Sequence, residues 1–396
     1  MHQIMKLSTC IVIIGLSILV GCSPQTGESD SSDMAQHTGI QTQQTQEQTT
    51  QSSSIEEWLV TPEVIGRPYE SFFGSNEDAK NVWDMIVYDG KLFLGSGDYG
   101  RNSGCKIACY DLKSQAWTLQ KVPDEEVNDF CIIDGKLVTP GIDPQADWSM
   151  GNFYVYENDE WNTVRTIPGG IHNFCMVEHD GLIFAGLGVI EGQTPVACSV
   201  DGGKTFKQVP FYKDGKPWCV EHSDNDRALN LFVLKEQVYA VIGPEICLYA
   251  YEDGCFTYVT DWYRKINFQS NFLSPRSHFF EVVTYHDTLY LATGYLFRVT
   301  DVEAPKFVSL EGNCVCDLYV DNDTLYVLTS RKGEDDEYIC SVYTVDEDEH
   351  ELLFCFLDEI PAKSFAVSDS EFYFSLVYRS SVSEERSGYV LRYSLE

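Results

Sequence analysis

The protein has 396 residues, with 61 acidic against 27 basic side chains and a formal net charge of -34. This balance argues against a nucleic-acid partner, because binding to phosphates needs basic surface. Hydrophobic residues make up 43% of the chain, which excludes a chain that is disordered throughout.

The N-terminus has the features of an export signal. Lys6 is followed by an apolar run over residues 10–20, which is too short to span a bilayer. The run ends in Leu19-Val20-Gly21-Cys22, which resembles the lipobox of bacterial lipoproteins. The resemblance implies a signal peptide over residues 1–21 and lipidation of Cys22 by acyl chains such as palmitate, which would hold the protein at the extracytoplasmic face of the cell membrane. The alternatives are an ordinary secretory signal and a short buried segment.

Residues 22–54 combine the lipidated cysteine with a stretch rich in Gln, Ser and Thr. Almost none of these side chains can build a hydrophobic core, so we expect a disordered tether.

Beyond residue 55 the dominant signal is internal repetition. Seven times a short apolar strand meets a polar two-residue turn and is followed by a second strand, with a mean spacing of about 47 residues. This period, with four short strands in each unit, predicts an all-β fold: a seven-bladed β-propeller over residues 55–396. The turns are at Asp89-Gly90, Asp134-Gly135, Asp180-Gly181, Lys235-Glu236, His286-Asp287, Asn322-Asp323 and Asp369-Ser370.

The last unit ends after its third strand, so its fourth strand must come from elsewhere. Glu57 to Pro62 copies the pattern of the fourth strands at Trp117 to Pro123 and Trp161 to Pro168. We expect this N-terminal strand to close the ring and leave no exposed sheet edge. A six-bladed ring is the alternative, if the irregular region 209–280 is misread.

One turn carries a resemblance to a known family. Ser199, Asp201, Gly203, Thr205 and Phe206 match the Asp-box, a turn found in sialidases and related propellers. The resemblance implies a structural brace, with Asp bonding backbone amides, Gly at positive φ and the aromatic ring packed under the hairpin.

A sialidase-like enzyme would need more than this turn. The resemblance would imply an arginine triad, a tyrosine nucleophile and an acid/base carboxyl group, for which Asp84, Asp129, Glu281 and Asp317 are candidates. The sequence has no segment of the Phe-Arg-Ile-Pro type that sialidases carry. The nearest is Gly66-Arg67-Pro68, which precedes the first blade. Five arginines fall in or near loops that could share a face: Arg101, Arg227, Arg276, Arg331 and Arg379.

The longer loops, which join second to third and fourth to first strands, should share one face of the propeller, and we place function on this long-loop face. Two of its loops, 210–227 and 261–279, are rich in aromatic and polar side chains suited to a sugar ring or a peptide side chain. The alternative is that these loops bury their own aromatic residues. The predicted ligand-binding residues are Trp148, Phe211, Tyr212, Trp218, His222, Trp262, Tyr263, Arg264, Phe268, Arg276 and His278.

A polar ring is expected at the mouth of the central channel. Counting back six residues from the second residue of each turn gives polar groups at the start of the innermost strands, and Asn173 is assigned to blade 3 by allowing for a longer hairpin. A bound Ca²⁺ is one interpretation, and hydrogen bonding between blades is the other. The ring comprises Asp84, Asp129, Asn173, Asn230, Glu281, Asp317 and Ser364.

Twelve cysteines follow Cys22. Most of them sit among apolar residues, which favours buried free thiols, with a disulfide pair or two near Cys219 and Cys255 as the alternative.

Three functions therefore remain. The sequence favours a cell-surface recognition module that binds a glycan or an extracytoplasmic polypeptide without catalysis. A carbohydrate-active enzyme of sialidase-like architecture is the alternative, and a scaffold for envelope assembly is a third. Fold alone does not separate them.

Overall fold

The computed structural model describes residues 55–70, 82–97, 104–188, 192–219, 227–243, 245–266, 281–310, 314–333, 336–376 and 386–395. Within these ranges, 32 β-strands form seven sheets, which are the seven blades of a β-propeller. The predicted fold and blade count are confirmed.

The blades follow one another along the chain, and most run from an innermost first strand to an outermost fourth strand. The first strand, β1 (Glu63–Gly66), belongs to the last blade. Blade 1 comprises β2 (Met85–Tyr88), β3 (Lys91–Leu94), β4 (Lys106–Asp111) and β5 (Ala116–Lys121). A short strand, β6 (Asp124–Glu126), leads into blade 2, which comprises β7 (Cys131–Ile133), β8 (Lys136–Pro140), β10 (Met150–Glu157) and β11 (Glu160–Pro168), with β9 (Ile142–Pro144) in its loop.

Blades 3 and 4 each gain two strands and become six-stranded sheets. The two strands added to blade 3 are β9 and β6. Blade 3 comprises β12 (His172–His179), β13 (Leu182–Gly188), β14 (Val196–Ser199) and β15 (Lys207–Gln208). The hairpin β16 (Phe211–Lys213) and β17 (Lys216–Trp218) precedes blade 4, which comprises β18 (Ala228–Leu234), β19 (Gln237–Ile242), β20 (Cys247–Glu252) and β21 (Cys255–Asp261) and is followed by the short helix α1 (Trp262–Lys265).

The last three blades have four strands each. Blade 5 comprises β22 (Glu281–Tyr285), β23 (Thr288–Ala292), β24 (Leu296–Val299) and β25 (Lys306–Val308). Blade 6 comprises β26 (Cys314–Asp321), β27 (Thr324–Lys332), β28 (Tyr338–Asp346) and β29 (Glu349–Asp358). Blade 7 comprises β30 (Ala362–Ser368), β31 (Glu371–Leu376) and β32 (Val390–Ser394), completed by β1.

The seven predicted hairpin turns are confirmed by their backbone. Both central residues of every turn have positive φ, from Asp89 at 48° and Gly90 at 69° to Asp369 at 51° and Ser370 at 67°. Two successive positive φ values define the turn whose twist matches that of antiparallel strands, which is why Asp-Gly marks the blades so clearly in the sequence. These turns lie together on one face, which we call the short-turn face.

The core lies between blades. Between blades 6 and 7, for example, Phe354 and Phe356 of β29 pack against Phe372 and Phe374 of β31, with the Phe354 and Phe372 ring centroids 5.0 Å apart. Because each blade is covered on both faces, its central strands carry apolar residues at almost every position.

The ring is closed by an N-terminal strand, but the predicted residues were wrong. Residues Ile55–Trp58 form a 3₁₀ turn, and the Val60 amide donates to the carbonyl of Cys355 on β29, the outer strand of blade 6. Strand β1 (Glu63–Gly66) then pairs with β32. Pro62 has no N–H for a ladder, so regular pairing begins only after it.

Two regions predicted as loops contain strands. Strand β9 pairs with β6 and with β12, which extends the inner edge of blade 3. Strand β16 pairs in parallel with β21, which places the hairpin β16–β17 on the outer edge of blade 4.

The twelve cysteines from Cys105 to Cys355 are free thiols, as most of them were expected to be. No helix among the described residues is long and apolar enough to cross a membrane.

Candidate ligand-binding site

The predicted ligand-binding residues divide into three groups. His222, Phe268, Arg276 and His278 lie outside the described residues, as does the lipidation site Cys22. Phe211 and Trp262 are buried. Tyr212 and Trp218 are half-buried, and Trp148, Tyr263 and Arg264 are exposed.

The burial of Phe211 and Trp262 corrects the prediction for these two residues. Trp262 has no exposed surface; its ring stacks on Phe232 at a centroid distance of 5.5 Å, and its indole N–H donates to the carbonyl of Val302 at 2.8 Å. Phe211 stacks on Phe256 at 4.8 Å, which fastens hairpin β16–β17 to β21. Their large apolar rings are needed to hold irregular chain against the blade, so neither presents a face to a ligand.

Hairpin β16–β17 forms one wall of a cavity of about 330 Å³. The other wall comes from the segment that joins β19 to β20. The cavity lies on the long-loop face, because that segment connects the second and third strands of blade 4. Its lining residues are Lys213, Trp218, Ile242, Gly243, Glu245, Cys247 and Tyr249.

The cavity combines an aromatic surface with charged groups. The half-buried Trp218 ring lies 5.9 Å from the Tyr249 ring and 5.7 Å from Phe211, which fixes its orientation. The ammonium group of Lys213 lies 3.8 Å from the Glu245 carboxylate and 5.0 Å from the centre of the Tyr258 ring. The site therefore offers an apolar ring face beside both a hydrogen-bond donor and an acceptor.

Cys247 is one of the residues that line this cavity, and its thiol is unreactive. Burial raises the pKa of its thiol to about 11, so the thiolate is scarce at neutral pH. The cavity is suited to noncovalent binding through Trp218, Lys213 and Glu245.

The other exposed candidates do not join this cavity. Trp148 is 62% exposed in the loop between β9 and β10 of blade 2. Tyr263, which is 51% exposed, and Arg264 lie on α1 after blade 4, where the Arg264 guanidinium is 3.3 Å from Asp261.

Of the five arginines considered for a sialidase-like triad, Arg227 and Arg331 are described. Arg227 precedes β18 and lies 5.4 Å from the centre of the Phe174 ring, whereas Arg331 lies on β27 of blade 6. Arg101, Arg276 and Arg379 lie outside the described residues.

The structure places the predicted ring residues at the start of the innermost strands, with one difference in blade 3. In blades 3, 4 and 6 the innermost strand has a bulge, and the residue directly after it is Cys175, Asn230 and Asp317 respectively. Cys175, and not Asn173, therefore occupies the ring position of blade 3. Asn173 precedes the bulge, and its side-chain amide donates instead to the backbone of Asn152.

The ring acids connect neighbouring blades. The Asp84 carboxylate accepts from the amides of Met85 in its own blade and Phe130 in the next, at 2.7 and 2.8 Å. Asp317 does the same with Leu318 and Phe365, at 2.8 and 2.9 Å. The Cys175 thiol is hydrogen-bonded by the backbone of Leu231 in blade 4, which repeats the pattern.

The carboxyl groups also perturb one another. Burial, followed by repulsion from Glu281, raises the pKa of Asp84 to about 8. Burial is the largest cause of the raised pKa values of Asp129, Glu281 and Asp317 as well. Lys363 of blade 7 stabilises the ionised form of the ring, and its ammonium group donates to the carbonyl of Trp83 at 3.2 Å.

This geometry bears on the Ca²⁺ interpretation of the ring. Among the described residues, the ring acids do not form a group of three ligand atoms lying within 4.8 Å of one another. The hydrogen bonds to adjacent blades account for the acids at blades 1 and 6 without an ion.

A second polar cluster lies on the long-loop face and was missed by the sequence reasoning. Asp124 of β6 is fully buried and accepts from the side chains of Asn152 at 2.5 Å and Tyr154 at 2.7 Å. Burial raises the pKa of Asp124 to about 6. Beside it, the imidazole of His172 lies 2.8 Å from the carboxylate of Asp143.

This cluster could not be predicted, because β6 and β9 are three residues long and lie outside the repeat. Strand β9 pairs with β12 at Ile142 and His172, which brings Asp143 to the inner edge of blade 3. The hairpin that carries Trp218 was also missed, since residues 210–227 were predicted as a loop, although Asp214-Gly215 lies between two aromatic segments and has the same turn signal as the blades.

The turn from Ser199 to Phe206 is braced as the pattern predicts. The Asp201 carboxylate accepts from the amide of Thr205 at 2.9 Å and from its hydroxyl at 2.7 Å. Gly203 has a φ of 82°, and Phe206 packs edge-to-face on Phe153 at 6.0 Å. Hydrogen bonds from Thr205 lower the pKa of Asp201 to about 2. The side chains of Asp201, Thr205 and Phe206 therefore all serve to brace the turn.

Comparison with known proteins identifies no family for this chain. No protein-family model and no curated protein matches the sequence. Solved structures of similar fold include Sqt1 of Saccharomyces cerevisiae, with 10% identity, a TM-score of 0.43 and coverage of 81% of this chain and 83% of that one. The β-propeller domain of the Trilobed protease from Pyrococcus furiosus has 10% identity, a TM-score of 0.45 and coverage of 75% and 91%. BamB from Moraxella catarrhalis has 9% identity, a TM-score of 0.42 and coverage of 80% and 84%.

Proposed function

We propose that this protein is a lipid-anchored recognition module of the bacterial cell surface, whose propeller binds a glycan without catalysis. The binding site is the blade 4 cavity between hairpin β16–β17 and the segment joining β19 to β20. The propeller ring acts as a rigid scaffold, and the hairpin added to its edge supplies specificity.

The cavity itself is the observation that carries the proposal. Its volume of about 330 Å³ is at the small end of the range for small-molecule sites, which suits one or two sugar rings. Trp218 provides a flat apolar surface for a ring face, and Lys213 and Glu245 can donate to and accept from its hydroxyl groups. A polypeptide side chain is the alternative occupant.

The location is part of the proposal. The lipobox-like Leu19 to Cys22 would anchor the mature chain, and the Gln-rich segment up to residue 54 would hold the propeller clear of the lipid surface. A propeller presented in this way meets polymers of the envelope or the surroundings before they reach the membrane.

The test is a binding screen of the mature chain from residue 22, with Cys22→Ser to prevent lipidation. Neutral and charged oligosaccharides are compared with peptides and with Ca²⁺ by thermal shift, since a ligand at 100 times its Kd adds about 2.7 kcal/mol. We expect a saturable shift with an oligosaccharide that is lost in Trp218→Ala and weakened at least tenfold in Glu245→Gln.

Trp148→Ala is the matched control, because Trp148 is an exposed tryptophan of the same face outside the cavity. Trp218 supports the hairpin, so Trp218→Ala alone would not separate lost binding from a folding defect. Glu245 is exposed, and Glu245→Gln therefore tests the cavity without disturbing the fold. Binding that survives both cavity variants and fails in Trp148→Ala would place the ligand elsewhere. Hydrolysis of the bound oligosaccharide would favour the carbohydrate-active enzyme, and a shift with peptides alone would favour a protein partner.

A further inference from the structure

The short-turn face carries a cluster of metal-ligating side chains where blades 3 and 4 meet. His179 and Asp180 lie at the β12–β13 turn of blade 3, and Glu236 lies at the β18–β19 turn of blade 4. One ligand atom from each residue lies within 4.8 Å of the other two. The His179 imidazole nitrogen Nε2 and the Asp180 carboxylate are 3.6 Å apart.

The turn backbone positions two of these residues. Asp180 and Glu236 both have positive φ, at 50° and 61°, so each side chain starts from a tight turn, while its own torsion angles remain free to rotate. Position 236 is the second residue of its turn. The equivalent position in the other six turns holds glycine or a short polar residue, so Glu236 alone brings a long carboxylate side chain there.

Neighbouring turns elsewhere on this face contact each other directly. The Asp134 amide of blade 2 donates to Glu178 of blade 3 at 2.5 Å, and the Tyr285 hydroxyl of blade 5 donates to the Asp323 carbonyl of blade 6 at 3.0 Å. At the junction of blades 3 and 4, an imidazole and two carboxylates face each other instead.

We propose that His179, Asp180 and Glu236 bind a divalent first-row transition metal of the zinc type, which bridges blades 3 and 4. One imidazole nitrogen with two carboxylate oxygens suits zinc, cobalt or nickel, whereas calcium and magnesium prefer oxygen ligands alone. Three protein ligands leave a fourth position for water.

The geometry is close to what such an ion needs. Ligands about 2.1 Å from a tetrahedral zinc ion lie about 3.4 Å from one another. His179 and Asp180, at 3.6 Å, are almost at this distance, and the other pairs, which lie within 4.8 Å, must close by up to about 1.4 Å. Asp180 and Glu236 are exposed and His179 is partly so, and rotation of exposed carboxylate side chains can supply this movement. The ion would join the turns of blades 3 and 4, as hydrogen bonds join the turns of blades 2 and 3 and those of blades 5 and 6.

The test uses Co²⁺ as the probe, because its visible absorption reports both coordination number and ligand type. The mature Cys22→Ser chain is stripped of metal and titrated with CoCl₂, with Zn²⁺ added afterwards to displace the cobalt. We expect one Co²⁺ per chain, a four- or five-coordinate spectrum without thiolate charge-transfer absorption, and at least a tenfold weaker affinity in both His179→Gln and Glu236→Gln.

His286→Gln is the matched control, since His286 lies on the equivalent turn of blade 5, where its imidazole is 2.7 Å from Asp323. It should bind cobalt as the wild type does. The thermal midpoints of the metal-free variants are compared first, so that a folding defect is recognised. Failure to bind cobalt, thiolate absorption, or equal affinity in wild type and both site variants would each overturn the proposal.

Discussion

Asp124 shows how burial can raise the pKa of a single carboxyl group above that of the carboxylates on the surface. It is fully buried, one carboxylate oxygen accepts from Asn152 and Tyr154, and the other oxygen, Oδ2, has no hydrogen-bond partner. A Cβ added to Gly141 would lie 1.9 Å from Oδ2, so glycine is required there for the carboxyl group to fit. The site favours the protonated acid, and the pKa rises to about 6 as a consequence of burial.

This pKa predicts a pH dependence of stability. The folded pKa of about 6 lies above the value of about 3.9 in an unfolded chain, so the folded protein binds the extra proton. The free energy of unfolding contributed by Asp124 is therefore greatest below pH 4 and falls by roughly 3 kcal/mol as the pH rises through 6. Asp124→Asn should remove this fall.

The measurement is the difference in unfolding free energy between wild type and Asp124→Asn, from urea titrations between pH 4 and 8. Taking the difference cancels the pH dependence of the ring acids. Tyr154→Phe is the companion variant: it removes a hydrogen bond that favours the carboxylate, so the fall should extend to higher pH. A difference that does not vary with pH would contradict the assignment.

The residues of the polar ring can be predicted by counting along the sequence from each hairpin turn. Six residues back from each turn gives the ring position in all seven blades, and in blade 3 that count gives Cys175. The adjustment that selected Asn173 was wrong, because the longer strand is accommodated by a bulge at Phe174 and not by a shift of register. Cys175 was not selected because cysteine usually behaves as a small hydrophobic residue, although its thiol occupies the position that a carboxylate has in blades 1 and 6.

At the scale of elements, the hairpin β16–β17 is the part of the molecule that departs most from the repeat. It joins blade 4 by two parallel pairs, Phe211 with Phe256 and Tyr212 with Thr257. Its turn, Asp214-Gly215, has φ values of 53° and 71°. Because the hairpin carries both Trp218 and Lys213, its stability should control the cavity.

Gly215→Val is predicted to loosen the hairpin without unfolding the ring. A β-branched residue is strained at positive φ by about 1–2 kcal/mol, and the added atoms meet no neighbour, so the effect is confined to the turn backbone. Hydrogen exchange should become faster at the amides of β16 and β17 and stay unchanged in β18–β20, with weaker oligosaccharide binding.

Gly215→Asn is the control, since asparagine tolerates positive φ and should leave both exchange and binding nearly as they were. Equal protection of the hairpin in the valine variant would show that packing on Phe256 alone determines its position.

At the scale of the whole molecule, the number of blades could be predicted because each blade begins with the same hairpin signal. The identity of the closing strand could not. Both Glu57 to Pro62 and Glu63 to Gly66 are short segments at the right end of the chain, and the choice depends on which sheet edge each one reaches. Residues 59 and 60 reach β29 of blade 6 first, which leaves β1 for β32.

Closure also predicts the effect of truncation. Strand β1 covers the edge of β32, and Arg392 on that edge pairs with Glu63. A chain that begins at residue 67 loses the fourth strand of blade 7, so its unfolding midpoint should fall by about 5 °C or more and the bare edge should promote self-association. Calorimetry and light scattering measure both effects.

A chain that begins at residue 55 is the control and should behave as the mature protein does. If the chain from residue 67 keeps the full midpoint and stays monomeric, the ring does not depend on β1.

The cavity could not be predicted as a whole, because its two walls come from an insertion outside the repeat and from a loop within it. Trp218 was selected from its aromatic surroundings, which Phe211 and Trp262 shared. The packing in the folded structure, which the sequence does not show, buries Phe211 and Trp262 and leaves Trp218 half-exposed. Lys213 and Glu245 are 32 positions apart, and no pattern in the sequence relates them.

Whether the blade 4 cavity binds a sugar is decided by a crystal structure of the mature chain with the oligosaccharide that gives the largest thermal shift. We expect a sugar ring against the face of Trp218, with hydroxyl groups within hydrogen-bonding distance of Lys213 and Glu245. Density for the ligand at the channel mouth, at the Asp124 cluster or beside Trp148, with the cavity unoccupied, would contradict it.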